Sequence, residues 1–333
     1  MVHGPTGTGK SRSTLYFVDL IKEYINIPVI FCPTNRFHND WTGIVPKCMI
    51  RDKISLEAIQ GLIDNQEEKN SYTEVANTLT EFWDQLPGNK EIDAEYGKNI
   101  KLIDERIAQN KTMMSPDDYA KAEHDKYVAG YHRNTKSREL IYKHIAKLYR
   151  RHGVNRKEPD MKDRTAINLL TFHKYFRLNN NMLLVIDDCT DQFKSVPDET
   201  WKLIFNKSRH FKITIIMGTH NLGDIKVQCL RTAPFWQIFM TSSATLAYMN
   251  NGTVGLKGVL VVDPNSLAKA FNHDKEKGTM TRVALSRDRS IVVKFTYPLA
   301  LKFQIGDKVL WQIDDILQKR KTTQGTMINP DKL

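Results

Sequence analysis

No uninterrupted apolar stretch in the sequence reaches the roughly 20 residues a membrane helix takes, and no apolar run near Met1 has the pattern of a signal peptide. Cysteine is scarce. Cys32, Cys48, Cys189 and Cys229 lie far apart, with no C-x-x-C spacing, and the ten histidines do not complete a zinc finger. The four thiols therefore read as reduced core or surface groups. No internal repeat is visible. Acidic residues are the minority, 38 Asp+Glu against 49 Lys+Arg, so the chain carries a net charge of +11. Such an excess points to a polyanionic partner without separating DNA from RNA or an anionic membrane. With 41% hydrophobic and 26% charged residues, the 333 residues read as globular rather than disordered. That length suits one large α/β domain or two modest ones.

What is present begins with GPTGTGKS, Gly4 to Ser11, which fits G-x-x-x-x-G-K-[ST]. In this pattern Gly4, Pro5, Thr6, Gly7, Thr8 and Gly9 form a loop that wraps a polyphosphate with its amides turned inward. Lys10 then reaches the β- and γ-phosphates of ATP as a point charge, and Ser11 ligates Mg²⁺. Only Met1, Val2 and His3 precede the loop. They make about 10 Å of extended chain, where a central strand takes about five or six residues. The expectation is an incomplete first strand and a working protein with residues upstream of Met1.

The loop runs into an amphipathic stretch, SRSTLYFVDLIKEYI, which reads as the helix that covers the phosphate site. IPVIFC (27–32) reads as a buried strand, completing strand–helix–strand and the start of a parallel α/β sheet. Residues 51–165 interrupt that pattern. They are polar and helix-prone, and SPDD at 115–118 supplies a cap, a first-turn proline and early acids. A helical insertion is expected, since a bare connection of that length is implausible. Its end is basic, with eleven Lys/Arg against four Asp/Glu from Arg133 to Arg164. Ile141, Ile145 and Leu148 fall on one helical face and Lys143, Lys147 and Arg150 roughly opposite. That face is either an ordinary solvated surface or one that meets nucleic-acid phosphates.

The sheet resumes with NMLLVIDDCT (181–190), a helix around 201–209, and FKITIIMGTHN (211–221). FWQIFM (235–240) and GVLVV (258–262) are further strand candidates, and TRVAL with IVVKFTY form a late hairpin whose loop holds Arg287 and Arg289. The expected domains are a core of 1–50 with 166–300, the insertion at 51–165, and a 301–333 segment ending in a mobile basic tail, QKRKTTQGTMINPDKL.

Two of the later strands end in chemistry. LLVIDDC has four apolar residues followed by paired carboxylates, the shape of a Walker B strand. Asp187 is then the Mg²⁺ ligand and Asp188 the group that orients and deprotonates water, unless the pair is only a solvated turn. IIMGTHN places Thr219, His220 and Asn221 at the carboxyl end of a strand, where parallel sheets meet their ligands. His220, with Thr219 close behind, is the candidate sensor of the γ-phosphate; the alternative is a simple cap and turn. Adjacent acids beside a phosphate loop favour hydrolysis, and no Arg cluster of a small-molecule kinase is recognisable near the loop.

These elements, in this order, resemble the viral genome-packaging ATPases of the FtsK–HerA superfamily, the poxvirus, giant-virus and adenovirus type. The stretches that carry the resemblance are GPTGTGKS, FCPTNRFHNDW, LLVIDDCTD and SRHFKITIIMGTHN, within residues 1–50 and 180–245. The resemblance implies a RecA-like P-loop ASCE ATPase with a mostly parallel central sheet, a helical insertion and a late hairpin. It implies a homo-oligomeric ring that drives double-stranded DNA into a capsid, meeting capsid or portal proteins. The host nucleus, as in adenovirus-like relatives, the cytoplasm, as in poxvirus-like ones, and the virion are the implied locations. Arg209 occupies the place of the arginine before the sensor strand, a candidate finger acting on a neighbour's site, with Arg231 as rival. Asp188 stands where cellular members carry a glutamate. Two other readings share these residues: a viral helicase or recombination ATPase, and a DNA-binding regulator with a nucleotide-binding fold.

Overall fold

Five-residue apolar runs alternating with helices build the sheet. The computed structural model describes residues 2–3, 8–80, 88–110, 113–151, 163–176, 179–220, 236–239, 272–274, 276–286, 291–298 and 300–324. The protein is α/β. Its strands are β1 (Val2–His3), β2 (Ile27–Phe31), β3 (Ile50–Arg51), β4 (Met182–Ile186), β5 (Ile213–Thr219), β6 (Trp236–Phe239), β7 (Asn272–Asp274), β8 (Thr279–Ser286) and β9 (Ile291–Pro298). They lie in the order β3-β2-β4-β5-β1-β6-β8-β7, with β9 also paired to β8. Every pairing from β3 to β6 is parallel, and those of β8 with β6, β7 and β9 are antiparallel.

The helices are α1 (Lys10–Leu20), α2 (Asn35–His38), α3 (Leu56–Thr80), α4 (Asn89–Asn110), α5 (Pro116–Arg151), α6 (Ala166–Phe176), α7 (Asp198–Lys207) and α8 (Lys308–Gln324). None of the described helices is long and apolar enough to cross a membrane.

All five residues of β2 and of β4 are buried, as strands covered on both faces must be. Successive side chains go to opposite sides. Leu184 and Ile186 join Val29 and Phe31 in a core with Ile59 and Ile63 of α3 and Trp201 and Ile204 of α7. Leu183 and Val185 join Ile30 in a second core with Leu15 and Val18 of α1, Trp41 and Ile305. The sheet thus has helices on both faces, and α1 is fixed from below by the same strand that carries Asp187 on its end.

Two compact units divide the chain, one of residues 1–66 and 181–333, the other of 67–180. The second unit is helical. Ser115 caps α5, its Oγ accepting from the Asp118 N–H at 3.1 Å and donating to the Asp118 carboxylate at 2.7 Å, while Pro116 takes the first helical position. Arg133 of α5 donates through Nε to Asp93 of α4 at 3.0 Å, and Lys126 of α5 pairs with Asp104 of α4 at 2.6 Å. The basic stretch expected at 133–151 is the second half of this 36-residue helix. Ile141 is buried and Lys143 exposed. The side chains of Ile145, Lys147, Leu148 and Arg150 lie outside the described residues, as do Arg287, Arg289 and the 258–262 run.

Two expectations need correction. The first helix is shorter than the amphipathic run, ending at Leu20 and giving way to a 3-10 turn at Lys22–Tyr24; Ile25 then packs as core without helical backbone. More substantially, QKRKTTQ is not a mobile tail but the last turns of α8. These polar residues continue a helix that is anchored just before them, where Val309, Leu310, Ile313 and Leu317 are all buried at helical spacing. Lys319 pairs with Asp315 one turn back at 3.1 Å. Residues 325–333 lie outside the described set.

Candidate functional site

Parallel strands present their carboxyl ends on one edge, and here β1, β4 and β5 lie together. Three segments therefore meet at that edge: the glycine loop after β1, the acid pair after β4, and His220 after β5. The strand ending in Thr219 lies between the loop strand and the acid strand, with His3 paired to Thr219 and Ile186 paired to Met217.

Of the loop, Gly4, Pro5, Thr6 and Gly7 lie outside the described residues, while Thr8, Gly9, Lys10 and Ser11 are placed. Gly9 is the N-cap of α1 at φ 86°, a left-handed conformation that suits glycine. Its carbonyl accepts the Ser13 N–H at 2.9 Å, which starts the helix. Lys10 and Ser11 come next on the first turn and reach the acids. Ser11 Oγ donates to Asp187 Oδ2 at 2.9 Å. Lys10 Nζ donates to His220 Nδ1 at 2.9 Å, and His220 Nε2 lies 2.6 Å from Asp188 Oδ1. Because the ammonium can only donate, this chain assigns the ring proton to Nε2.

Asp187 is 1% exposed. Its Oδ1 is buried without a hydrogen-bond partner and sits against Gly218, where an added Cβ would approach it to 2.6 Å. Burial, reinforced by the charge of Asp188, pushes the Asp187 carboxyl up to about 6, against the opposing pull of Ser11, Trp41 and Lys10. Lys10 is held below its ordinary value, burial outweighing the attraction of Asp188 and Asp187. The site is therefore short of compensating charge and donors, which favours an incoming cation with an anion. Asp188 itself has φ 56°, a strained conformation of the kind that collects at functional sites.

A second wall comes from the segment after β2. Thr34 Oγ1 donates to Asp188 Oδ2 at 3.3 Å, so one oxygen of Asp188 is held while the other faces His220. Asn35 Oδ1 accepts the Trp41 N–H at 2.9 Å and keeps the fully buried Trp41 beside Asp187. Arg12, one residue past Ser11, turns away to Asp40 at 3.5 Å. Together with Asn39 and Phe303 they line an open cavity of about 640 Å³, within the size range of small-molecule sites.

No protein-family model matches this chain, and no curated protein sequence matches it. The site must therefore be judged by its own geometry.

Mg²⁺ takes hard oxygen donors and usually only one or two from protein, the rest coming from water and phosphate. Ser11 Oγ, Asp187 Oδ2 and the unpartnered Asp187 Oδ1 fit that description. The described residues hold no group of three His, Cys, Asp or Glu side chains suited to an all-protein metal cage, which such an ion does not need. Among the described residues, the three cysteines are poor nucleophiles. Burial pushes Cys32 up to about 11 and Cys48 to about 12, and raises Cys189 as well.

The remaining candidates separate. His220 bridges Lys10 and Asp188, while Thr219 is fully buried at the end of β5. Arg209 is exposed in the turn before β5, a strand length of roughly 20 Å from the acids of its own chain. Arg231 and Asn221 lie outside the described residues. Reading by motif missed Thr34 and Trp41 as site walls, because no spacing rule links them to Asp187. It missed Arg282 too, whose Nη2 donates to the Thr8 carbonyl at 2.8 Å. Its signal was an arginine on the inward row of an otherwise apolar strand.

Proposed function

We propose that this chain is a RecA-like P-loop ATPase that hydrolyses MgATP to move double-stranded DNA, as a ring-forming genome-packaging motor does. One observation carries the ATPase reading: residues 10–11, 187–188 and 220, from three separate segments, meet at the loop end of the sheet in two adjacent sets of contacts. In this reading the Thr8–Ser11 turn and the start of α1 bind the triphosphate.

Ser11 and Asp187 hold Mg²⁺, which when bound neutralises charge on the phosphates. Lys10 exchanges His220 for a phosphate oxygen when nucleotide enters. That exchange frees His220, whose other nitrogen lies against Asp188, so arrival of the γ-phosphate is felt at the base. Asp188, fixed by Thr34, accepts the proton of the attacking water. Lys10, with an arginine of a neighbouring subunit (Arg209 or Arg231), stabilises the charge that develops.

Coupling to duplex DNA and to a capsid rests on the resemblance of the linking stretches and on the basic charge. A motor must grip any sequence, so contacts go to phosphates, and α5 is a candidate surface. ATP hydrolysis measured with and without duplex DNA tests the reading, with Asp188→Asn as the inactive control. Stimulation by duplex and translocation without strand separation are expected. Strand displacement would favour a helicase. A wild type that never hydrolyses ATP, with or without duplex, would sink the motor.

A further inference from the structure

Strand β8 buries Met280, Arg282 and Ala284 on one row, and a guanidinium in such a row is costly unless its donors are used. Its two Nη atoms donate to backbone, Nη1 to the Thr281 carbonyl and Nη2 to the Thr8 carbonyl, each at 2.8 Å. The neighbouring contacts reach the same place. Met280 Sδ lies 2.8 Å from the point where a Cβ on Gly9 would stand. On β9, the Tyr297 hydroxyl accepts from Ser13 Oγ at 2.5 Å, and its ring stacks on Tyr16 at 5.3 Å. The β8–β9 hairpin is thus seated against the end of the glycine loop and the first turns of α1.

A trans peptide points its carbonyl and its N–H in opposite directions, and none of the described peptides is cis. The Thr8 carbonyl and the Gly9 N–H belong to one peptide unit. Holding that carbonyl on the guanidinium fixes the direction in which the Gly9 N–H is aimed. The N–H belongs to the N-cap of α1, which has no side-chain cap, so it is among the helix-end donors that serve anions.

We infer that Arg282 is a positioning residue for the nucleotide: from behind the loop it orients the Thr8–Gly9 peptide so that the Gly9 N–H meets the polyphosphate. This rests on the reading of the loop as a nucleotide site. Arg282 acts through the peptide and does not touch phosphate. Met280 packs against Gly9, whose left-handed φ of 86° is what favours glycine there.

The test is calorimetric binding of MgATP and steady-state hydrolysis for wild type, Arg282→Lys and Arg282→Gln, each checked by circular dichroism and melting. Arg282→Gln should raise Kd and KM by about 10-fold or more, the scale of one charge-assisted hydrogen bond, with kcat within about threefold. Arg282→Lys keeps the charge but not the planar fork, so it should recover part of the affinity. Should Arg282→Gln not fold, Arg282→Lys decides on its Kd alone. A wild type that binds no MgATP would remove the nucleotide reading itself. A wild type that binds, with folded variants binding within twofold of it, would overturn the role of Arg282 and leave that reading intact. Equal falls in kcat and stability with unchanged KM would make Arg282 a mere strut and also overturn it.

Discussion

Glycine at position 218 should be indispensable for a reason visible in distances. Extending the Ile186–Met217 register by one residue sets Asp187 opposite Gly218. A Cβ there would lie 2.6 Å from Asp187 Oδ1, where ordinary contact begins at 3.4 Å, so about 0.8 Å must be made up. The carboxylate cannot yield freely, because it is 1% exposed and its other oxygen is held by Ser11 at 2.9 Å. The backbone cannot yield freely either, since Gly218 is paired on its other side with Val2. Overpacking of this kind costs about 1–3 kcal/mol. If the carboxylate moves instead, a misplacement near 1 Å costs on the order of 10²-fold in rate. Gly218→Ala should therefore melt below wild type and hydrolyse MgATP far more slowly. Gly61→Ala is the matched control: it lies within α3 with nothing inside 4 Å of the added methyl, and should be stabilising by about 0.5–1 kcal/mol. A Gly218→Ala protein with wild-type melting and wild-type hydrolysis would refute the packing argument.

Other tests probe the same site and the packing of the last helix. Without metal, the raised Asp187 carboxyl favours the protonated folded form, so its ionisation removes stability as pH rises from about 4 to about 6. Asn cannot ionise, so the melting temperature of Asp187→Asn relative to wild type should climb across that window; Mg²⁺ should narrow the gap, and a flat difference would contradict the burial. His220→Ala should lower kcat by about 10²-fold while MgATP binds as well as or better than before, because Lys10 no longer has to leave His220; weaker binding would tell against the relay. Ile313→Ala should cost about 2–5 kcal/mol, measured by denaturant unfolding, because Ile313 is buried in the first turns of α8; no loss would contradict that packing.

Much of the fold was legible because buried strands are written in composition. IPVIF, MLLVI and ITIIMGT are β2, β4 and β5 within a residue or two, and Ser115–Pro116 marks the start of α5. The meeting of Lys10, Ser11, Asp187, Asp188 and His220 was also legible, since parallel strands send their ends to one edge. What escaped has a common cause. Thr34, Trp41 and Arg282 are local in no sense that periodicity can register: their partners are 154, 146 and 274 residues away. The helical end of α8 escaped for another reason: QKRKTTQ is polar throughout, and the apolar residues that anchor the helix, Val309 to Leu317, come before it.

The bond between Thr8 and Arg282 also dictates a timetable. At about 5–20 residues per second, a ribosome needs roughly 14–55 s to make the 274 residues between them. Throughout that interval the nascent Thr8–Ser11 turn lacks its brace, even after β5 and β6, the strands that flank β1, have been made. Synthesis order therefore leaves the start of α1 without the Arg282 contact until the hairpin has emerged.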